Sequence, residues 1–161
     1  KDELKQAYNW LIEQNNTMKP VYVGDDVMDN MISGNKAMAV VYSGDGSYVI
    51  NENDNMGFLV PDQGSNVWTD GMVITKKCKN TKLAHQFIDY FLSYDVAEQN
   101  TDYIGYDSAV KSVYEYFKND AYAGNPGCGP DTSNPKNEVF KAQPQDIKAY
   151  SSSLWTKVKS H

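Results

Sequence analysis

The residues of this chain best suited to chemistry are Trp68 and Asp70, an indole and a carboxylate two positions apart in Val67-Trp68-Thr69-Asp70-Gly71-Met72-Val73. The segment reads as a strand, and residues i and i+2 of a strand leave the same face, so both side chains are expected to enter one space. A flat ring beside an anion suits an organic cation: the carboxylate supplies charge, and the ring supplies dispersion contact and the negative face of its π-system. The plainer alternative makes Trp68 core and Asp70 a cap. A buried carboxylate nevertheless needs a cation or hydrogen-bond donors, and the pair is read as a pocket for an amine.

Other chemistry finds few residues to carry it. The two histidines are His85, within an amphipathic helical pattern, and His161 at the end of the sequence, and neither has a placed partner for base catalysis. The chain has no Walker-type phosphate loop, no His-Glu-x-x-His and no Gly-x-Ser-x-Gly. Asp25-Asp26 falls where a helix is expected to start, so capping accounts for it. Residues 51–55, Asn-Glu-Asn-Asp-Asn, lack the central Gly and terminal Glu of a calcium loop. No metal, cofactor or catalytic residue is therefore expected. Twelve tyrosines and three tryptophans are a stronger signal. Tyr42 and Tyr106 sit at the ends of expected elements, whereas Tyr8, Tyr90, Tyr114 and Tyr150 have helical spacing and read as core or boundary residues.

Composition narrows the partners. The 161 residues carry a formal charge of −6, and all fifteen basic residues are Lys. Phosphate contacts need basic patches and favour Arg, so nucleic acid is a poor partner for this chain. A hydrophobic content of 40% is enough to build a core. No run reaches the roughly 18 apolar residues of a membrane helix, and no charged-then-apolar secretion signal opens the sequence. Starting in an amphipathic helix without an initiator Met is what a fragment or a processed product would do. Cys78 and Cys128 lie in loop-like contexts and can be read as a disulfide or as two separate thiols.

The elements that must hold these residues alternate between strand and helix patterns. A helix is expected over 2–13, a strand over 20–24, a helix over 25–32 closed by Gly34, and a buried strand over 37–42 that Ser43-Gly44-Asp45-Gly46 breaks as a turn. Residues 57–60 and 67–75 read as strands. Lys79-Asn80-Thr81 caps a helix with Leu83, Ala84, Phe87, Ile88, Phe91 and Leu92 on one face. Helices follow over 95–100 and 108–117, then a Gly-, Pro- and Asn-rich loop or crossing over 119–137, then a helix over 145–159. The alternation predicts an α/β fold with a mixed or mostly parallel sheet.

The succession of Met38-Ala39-Val40-Val41-Tyr42-Ser43-Gly44, the Trp68-Thr69-Asp70 segment, the 79–92 helix, Asp95-Val96-Ala97-Glu98-Gln99 and Ile104-Gly105-Tyr106 closely resembles the C-terminal half of the polyamine-binding (spermidine/putrescine) proteins of bacterial ABC importers. The resemblance implies a type II periplasmic-binding-protein-like architecture with a mixed β-sheet and flanking helices, present here as an incomplete two-lobe fold. It implies an extracytoplasmic receptor, in the periplasm or on the outer face of the cell membrane. The receptor captures a polyamine, delivers it to ABC permease subunits and performs no bond chemistry. By position, Asp70 would bind an amine, Trp68 and Tyr42 would pack on the ligand, and Tyr106 would add a wall or hydroxyl contact. Tyr42 departs from the family's frequent Trp. A further polar contact near Phe140 falls on Lys141 or Gln143, with the choice open. The lobes would divide the chain into residues 1–69 and 117–161 in the second lobe and 70–116 in the first. The stripe of Leu83, Phe87 and Phe91 would then be uncovered, so the segment would fold back, swap or form a homodimer. The alternatives are a receptor of the same fold for a sugar or a quaternary amine, and a non-binding interaction domain.

Overall fold

The computed structural model describes residues 1–161, which fall into two compact units: residues 1–24 with 140–161, and residues 25–139. The first unit is a helix pair. Helix α1 spans Asp2–Met18 and helix α7 spans Gln145–Lys159, with Leu154 and Val158 of α7 buried. Asp2 and Glu3 in the first turn of α1 face the positive end of its dipole. The polar run after Glu13 was expected to end α1, yet the helix continues to Met18. Asn15 and Asn16, poor helix formers, have distant partners that hold them: Asn15 Nδ2 donates to the Val158 carbonyl at 2.9 Å, Tyr22 Oη donates to Asn15 Oδ1 at 2.6 Å, and Asn16 Oδ1 lies 3.2 Å from His161 Nε2. Lys19, in the left-handed conformation, then stops the helix.

The second unit holds α2 (Asp26–Ile32), α3 (Ser43–Glu52), β1 (Asn66–Val67), α4 (Thr81–Phe91), α5 (Tyr94–Ile104), α6 (Lys111–Tyr116), a π-turn over Phe117–Ala121, and β2 (Glu138–Val139). Of the expected cap Lys79-Asn80-Thr81, Asn80 is the capping residue of α4, its side chain accepting from Leu83 N. Ala97, Val113, Phe117 and Cys128 form the core, with Val110 and Tyr122 packed on it. Both cysteines are free thiols. Burial pushes the Cys128 thiol up to about 11, with the Asp107 carboxylate adding to the effect.

Two expectations change. Ser43-Gly44-Asp45-Gly46 is not a break but the first turn of α3. Two glycines in a helix cost about 1 kcal/mol each in propensity, and here their bare backbone is used for packing, as described below. The mixed sheet is reduced to one parallel pair, Asn66 with Glu138 and Val67 with Val139. The apolar runs expected as strands make no ladder: residues 37–41, 57–60 and 70–74 form no backbone hydrogen bonds within the chain. Val40 is fully exposed and Val73 is 85% exposed. A strand is defined by its partner, so an apolar run of strand length stays irregular where no neighbouring strand is available.

The Gly- and Asn-rich segment after α6 is fastened to the helices. The side chain of buried Asn125 donates to the Ser47 carbonyl (3.0 Å) and Asn51 Oδ1 (2.9 Å) and accepts from Gly127 N (2.9 Å). Farther on, Asn137 Oδ1 accepts from Ser65 N at 2.9 Å, and Glu138 N donates to Ser65 O at 2.9 Å. The segment thus runs from the side of α3 to the edge of β1. Replacing Asn125 by Ala leaves buried partners unpaired and should cost about 1–3 kcal/mol. A urea titration followed by circular dichroism checks this, and an unchanged midpoint would show that the clasp carries no stability.

Candidate functional site

Strand β1 ends at Val67, and Trp68, Thr69 and Asp70 follow directly. In open α/β sheets, ligands bind outside the carboxyl ends of the strands, and Trp68 and Asp70 occupy that position here. The strand reading of 67–75 was too long, so the two side chains owe their placement to the end of the β1–β2 pair and not to a continuous strand.

Three sequence-predicted aromatics come together. The Tyr42 and Trp68 rings meet edge to face with centroids 4.8 Å apart, and Trp68 meets Tyr106 at 6.2 Å. Tyr42 is the residue before α3, in an extended conformation, and remains half exposed. Tyr106 follows Gly105, the C-cap of α5, whose φ of 73° is left-handed. The chain turns there because a Cβ on Gly105 would lie 2.6 Å from the Gly44 carbonyl oxygen, and a Cβ on Gly44 would overlap the Tyr106 ring. Two glycines therefore let the end of α5 approach the start of α3 and seat Tyr106 against that helix. Asp107 Oδ1, next in the chain, accepts from Gly129 N at 2.9 Å and fixes the departure of the backbone.

Negative charge converges on this wall. The Tyr106 phenol is pushed up to about 12, first by burial and then by the carboxylate charges of Asp45 and Asp70, with Tyr42 and Asp25 contributing. Tyr106 therefore keeps its proton at neutral pH and can act as a hydrogen-bond donor. Asp45, in the first turn of α3, is half-buried. Burial raises its pKa above the usual carboxylate value, a backbone hydrogen bond at Tyr42 opposes the shift, and Asp25 adds to it. Sequence reasoning took Asp45 as part of a turn and Asp25 as a cap, and did not assign either to the site. Once residues 43–52 are read as a helix, Asp45 falls three residues after Tyr42, and that spacing is the signal that could have found it.

The arrangement offers an aromatic wall of three rings, two phenol hydroxyls, and carboxylates with no lysine partner. The two salt bridges of the chain, Lys1 with Asp146 and Lys111 with Glu115, involve neither Asp45 nor Asp70. Such a site favours an ammonium group over an anion or a neutral polar solute. Substitution of Gly44 by Ala should displace the Tyr106 ring and destabilise the fold by about 1–3 kcal/mol, the usual cost of overpacking. Differential scanning calorimetry reads the shift, and an unchanged melting temperature would mean that Tyr106 is not held by α3.

Comparison with known proteins agrees in kind. Residues 1–129 match the family model described as Bacterial extracellular solute-binding protein. The chain is 34% identical to the Norspermidine sensor of Vibrio cholerae over 64% of its own length and 30% of that protein. It is 30% identical to the Putrescine-binding periplasmic protein PotF of Escherichia coli, over 66% of this chain and 29% of that protein. With the Spermidine/putrescine-binding periplasmic protein 1 of Haemophilus influenzae the identity is 27%, over 66% and 29% of the respective lengths. The matched region thus spans 29–30% of the length of these relatives. No solved structure gives a significant match. The chain belongs to the bacterial extracellular solute-binding protein family, and with it to the periplasmic-binding-protein-like folds.

Proposed function

We propose that this chain is the C-terminal portion of an extracytoplasmic receptor, located in the periplasm or on the outer face of the cell membrane, that captures polyamines and delivers them to ABC permease subunits. The observation that carries the proposal is the meeting of the Tyr42, Trp68 and Tyr106 rings, with Asp45 in the first turn of α3 and Asp70 exposed two residues after Trp68. The names of three relatives, each a polyamine sensor or binding protein, support the same ligand class. In this reading Asp70 accepts from a primary ammonium, Trp68 and Tyr42 pack on the adjoining methylenes, and Tyr106 closes the wall and donates its hydroxyl. The mechanism is binding without bond chemistry: lobes of the complete receptor close on the cation by hinge motion.

Binding needs ionised carboxylates, and this gives a pH dependence with a definite sign. Asp45 takes up its proton at a higher pH than an ordinary carboxyl because its pKa is raised. Affinity for an amine is therefore full well above that pKa and falls as pH drops through it. Calorimetric titration of the full-length receptor with putrescine, spermidine, choline and a neutral sugar tests the proposal. Asp70→Asn should lose about 1.5–3 kcal/mol of polyamine binding, roughly 10- to 150-fold, and Asp45→Asn should flatten the acid limb. Unaltered affinity in Asp70→Asn, or preference for the sugar or choline, would overturn the assignment.

The lobe assignment follows from the same reading. Residues 1–69 and 117–161 would lie in the second lobe, and 70–116 in the first lobe with strands this chain does not contain. Exposure along α4 supports this, because Leu83 and Phe87 of the stripe are largely exposed, although Phe91 is half-buried, and residues 70–74 have no strand partner. Produced alone, the 161-residue chain should cover that face by forming a homodimer or a domain-swapped assembly. Size-exclusion chromatography with light scattering should give a mass of at least two chains, falling to one for Phe87→Lys. A monomer at all concentrations would contradict the uncovered-face account.

A further inference from the structure

The first turn of α3 is closed in on three sides. Gly44, Gly46 and Ser47 are buried, whereas Asp45 among them is half-buried. Successive residues of an α-helix are rotated by about 100°, so Gly44 and Gly46 face nearly opposite sides of the turn, and Ser43 and Ser47, one turn apart, share a third side. A Cβ on Gly44 would lie 2.4 Å from the Tyr106 ring. On the opposite side, a Cβ on Gly46 would lie 2.4 Å from Cδ2 of Phe58 and 3.0 Å from its Cε2. On the third, a Cβ on Gly127 would lie 2.6 Å from Ser47 N and 2.9 Å from the Ser43 carbonyl oxygen. Asp45 is two positions from both Ser43 and Ser47, about 200° round the helix, so its side chain leaves through the side that stays open.

An extended run brings Phe58 to this contact. Met56, Phe58 and Val60 are half-buried while Gly57 and Leu59 are exposed, the alternation of an extended backbone. The run has no ladder to hold it, so side-chain packing fixes its place. The stacking of Tyr42, Trp68 and Tyr106 does not include Phe58. Its ring therefore acts on the helix backbone and not as part of the aromatic wall.

We infer that Phe58 is a positioning residue of the ligand site: its ring, seated on Gly46 opposite Tyr106, holds the first turn of α3 so that the Asp45 carboxylate is presented to the wall of Tyr42, Trp68 and Tyr106. The inference rests on the reading of that wall as an amine site. Asp45 is the first of the charges that, after burial, push the Tyr106 phenol up to about 12, which agrees with a carboxylate held near the wall. Without the Phe58 ring the turn loses one of two opposed supports, and Asp45 shifts with the turn that carries it. Phe58 touches no ligand in this account, so its effect on affinity runs through Asp45 and disappears when Asp45 carries no charge.

The test is a double-mutant cycle on the full-length receptor, read by calorimetric titration with putrescine, with circular dichroism to show that each variant is folded. Phe58→Leu should weaken binding about tenfold. Gly46→Ala, which displaces the same ring from the helix side while favouring the helix, should weaken it to a similar extent. In an Asp45→Asn background each change should cost less than about twofold more. Unchanged affinity in folded Phe58→Leu and Gly46→Ala would overturn the inference. So would losses that persist at full size beside Asp45→Asn, because Phe58 would then act on the fold at large. Asp70→Asn and Asp45→Asn alone report on the amine site itself, so weakened binding in both, with additive effects of Phe58→Leu, defeats this inference and leaves that reading standing.

Discussion

The site depends on one close approach, that of Gly105 to the carbonyl of Gly44. Tyr106 can lie on the first turn of α3 only because neither residue carries a side chain at the point of contact. The left-handed φ of Gly105 ends α5 and turns the chain toward that contact. Everything that makes the site aromatic and acidic follows: Tyr42 precedes α3, Asp45 lies in its first turn, and Trp68 contacts both tyrosines from the end of β1. The glycine pair costs helix propensity and gains a fixed geometry, an exchange often seen where a backbone must be approached closely.

A second constraint, unpaired backbone, governs the rest of the molecule. The chain has several apolar runs of strand length and one ladder of two residues per strand. Hydrophobic residues at 38, 40, 59 and 73 face water as a result. The packing that exists is helical: α1 against α7 in one unit, and α5, α6 and the π-turn around Phe117 in the other. Helices satisfy their own hydrogen bonds and need only one covered face, whereas strands need a neighbour on each side. Among relatives, the matched region is 29–30% of the whole.

Legibility in the sequence divides along the same line. Helix α7 was readable to its limits, and the cap of α4 to the run Lys79-Asn80-Thr81, because caps and apolar periodicity are local signals. The grouping of Tyr42, Trp68 and Tyr106 was legible through family order. The role of Asp45 was not, because Ser-Gly-Asp-Gly has the composition of a turn and becomes helical only through tertiary contacts of its glycines. The π-turn at Phe117 left no mark on a 3.6-residue pattern. Asn125 was read as loop, and its partners, buried Ser47 and exposed Asn51, lie more than seventy residues earlier.

The central claim is that Asp70 and the aromatic wall hold one ammonium end of a polyamine. The most direct measurement is a crystal structure of the full-length receptor with putrescine bound. The account predicts an ammonium within hydrogen-bonding distance of the Asp70 carboxylate, with the adjoining methylenes against Trp68 and Tyr42. Putrescine bound elsewhere, with Trp68 and Asp70 packed against protein and touching no ligand, would contradict it.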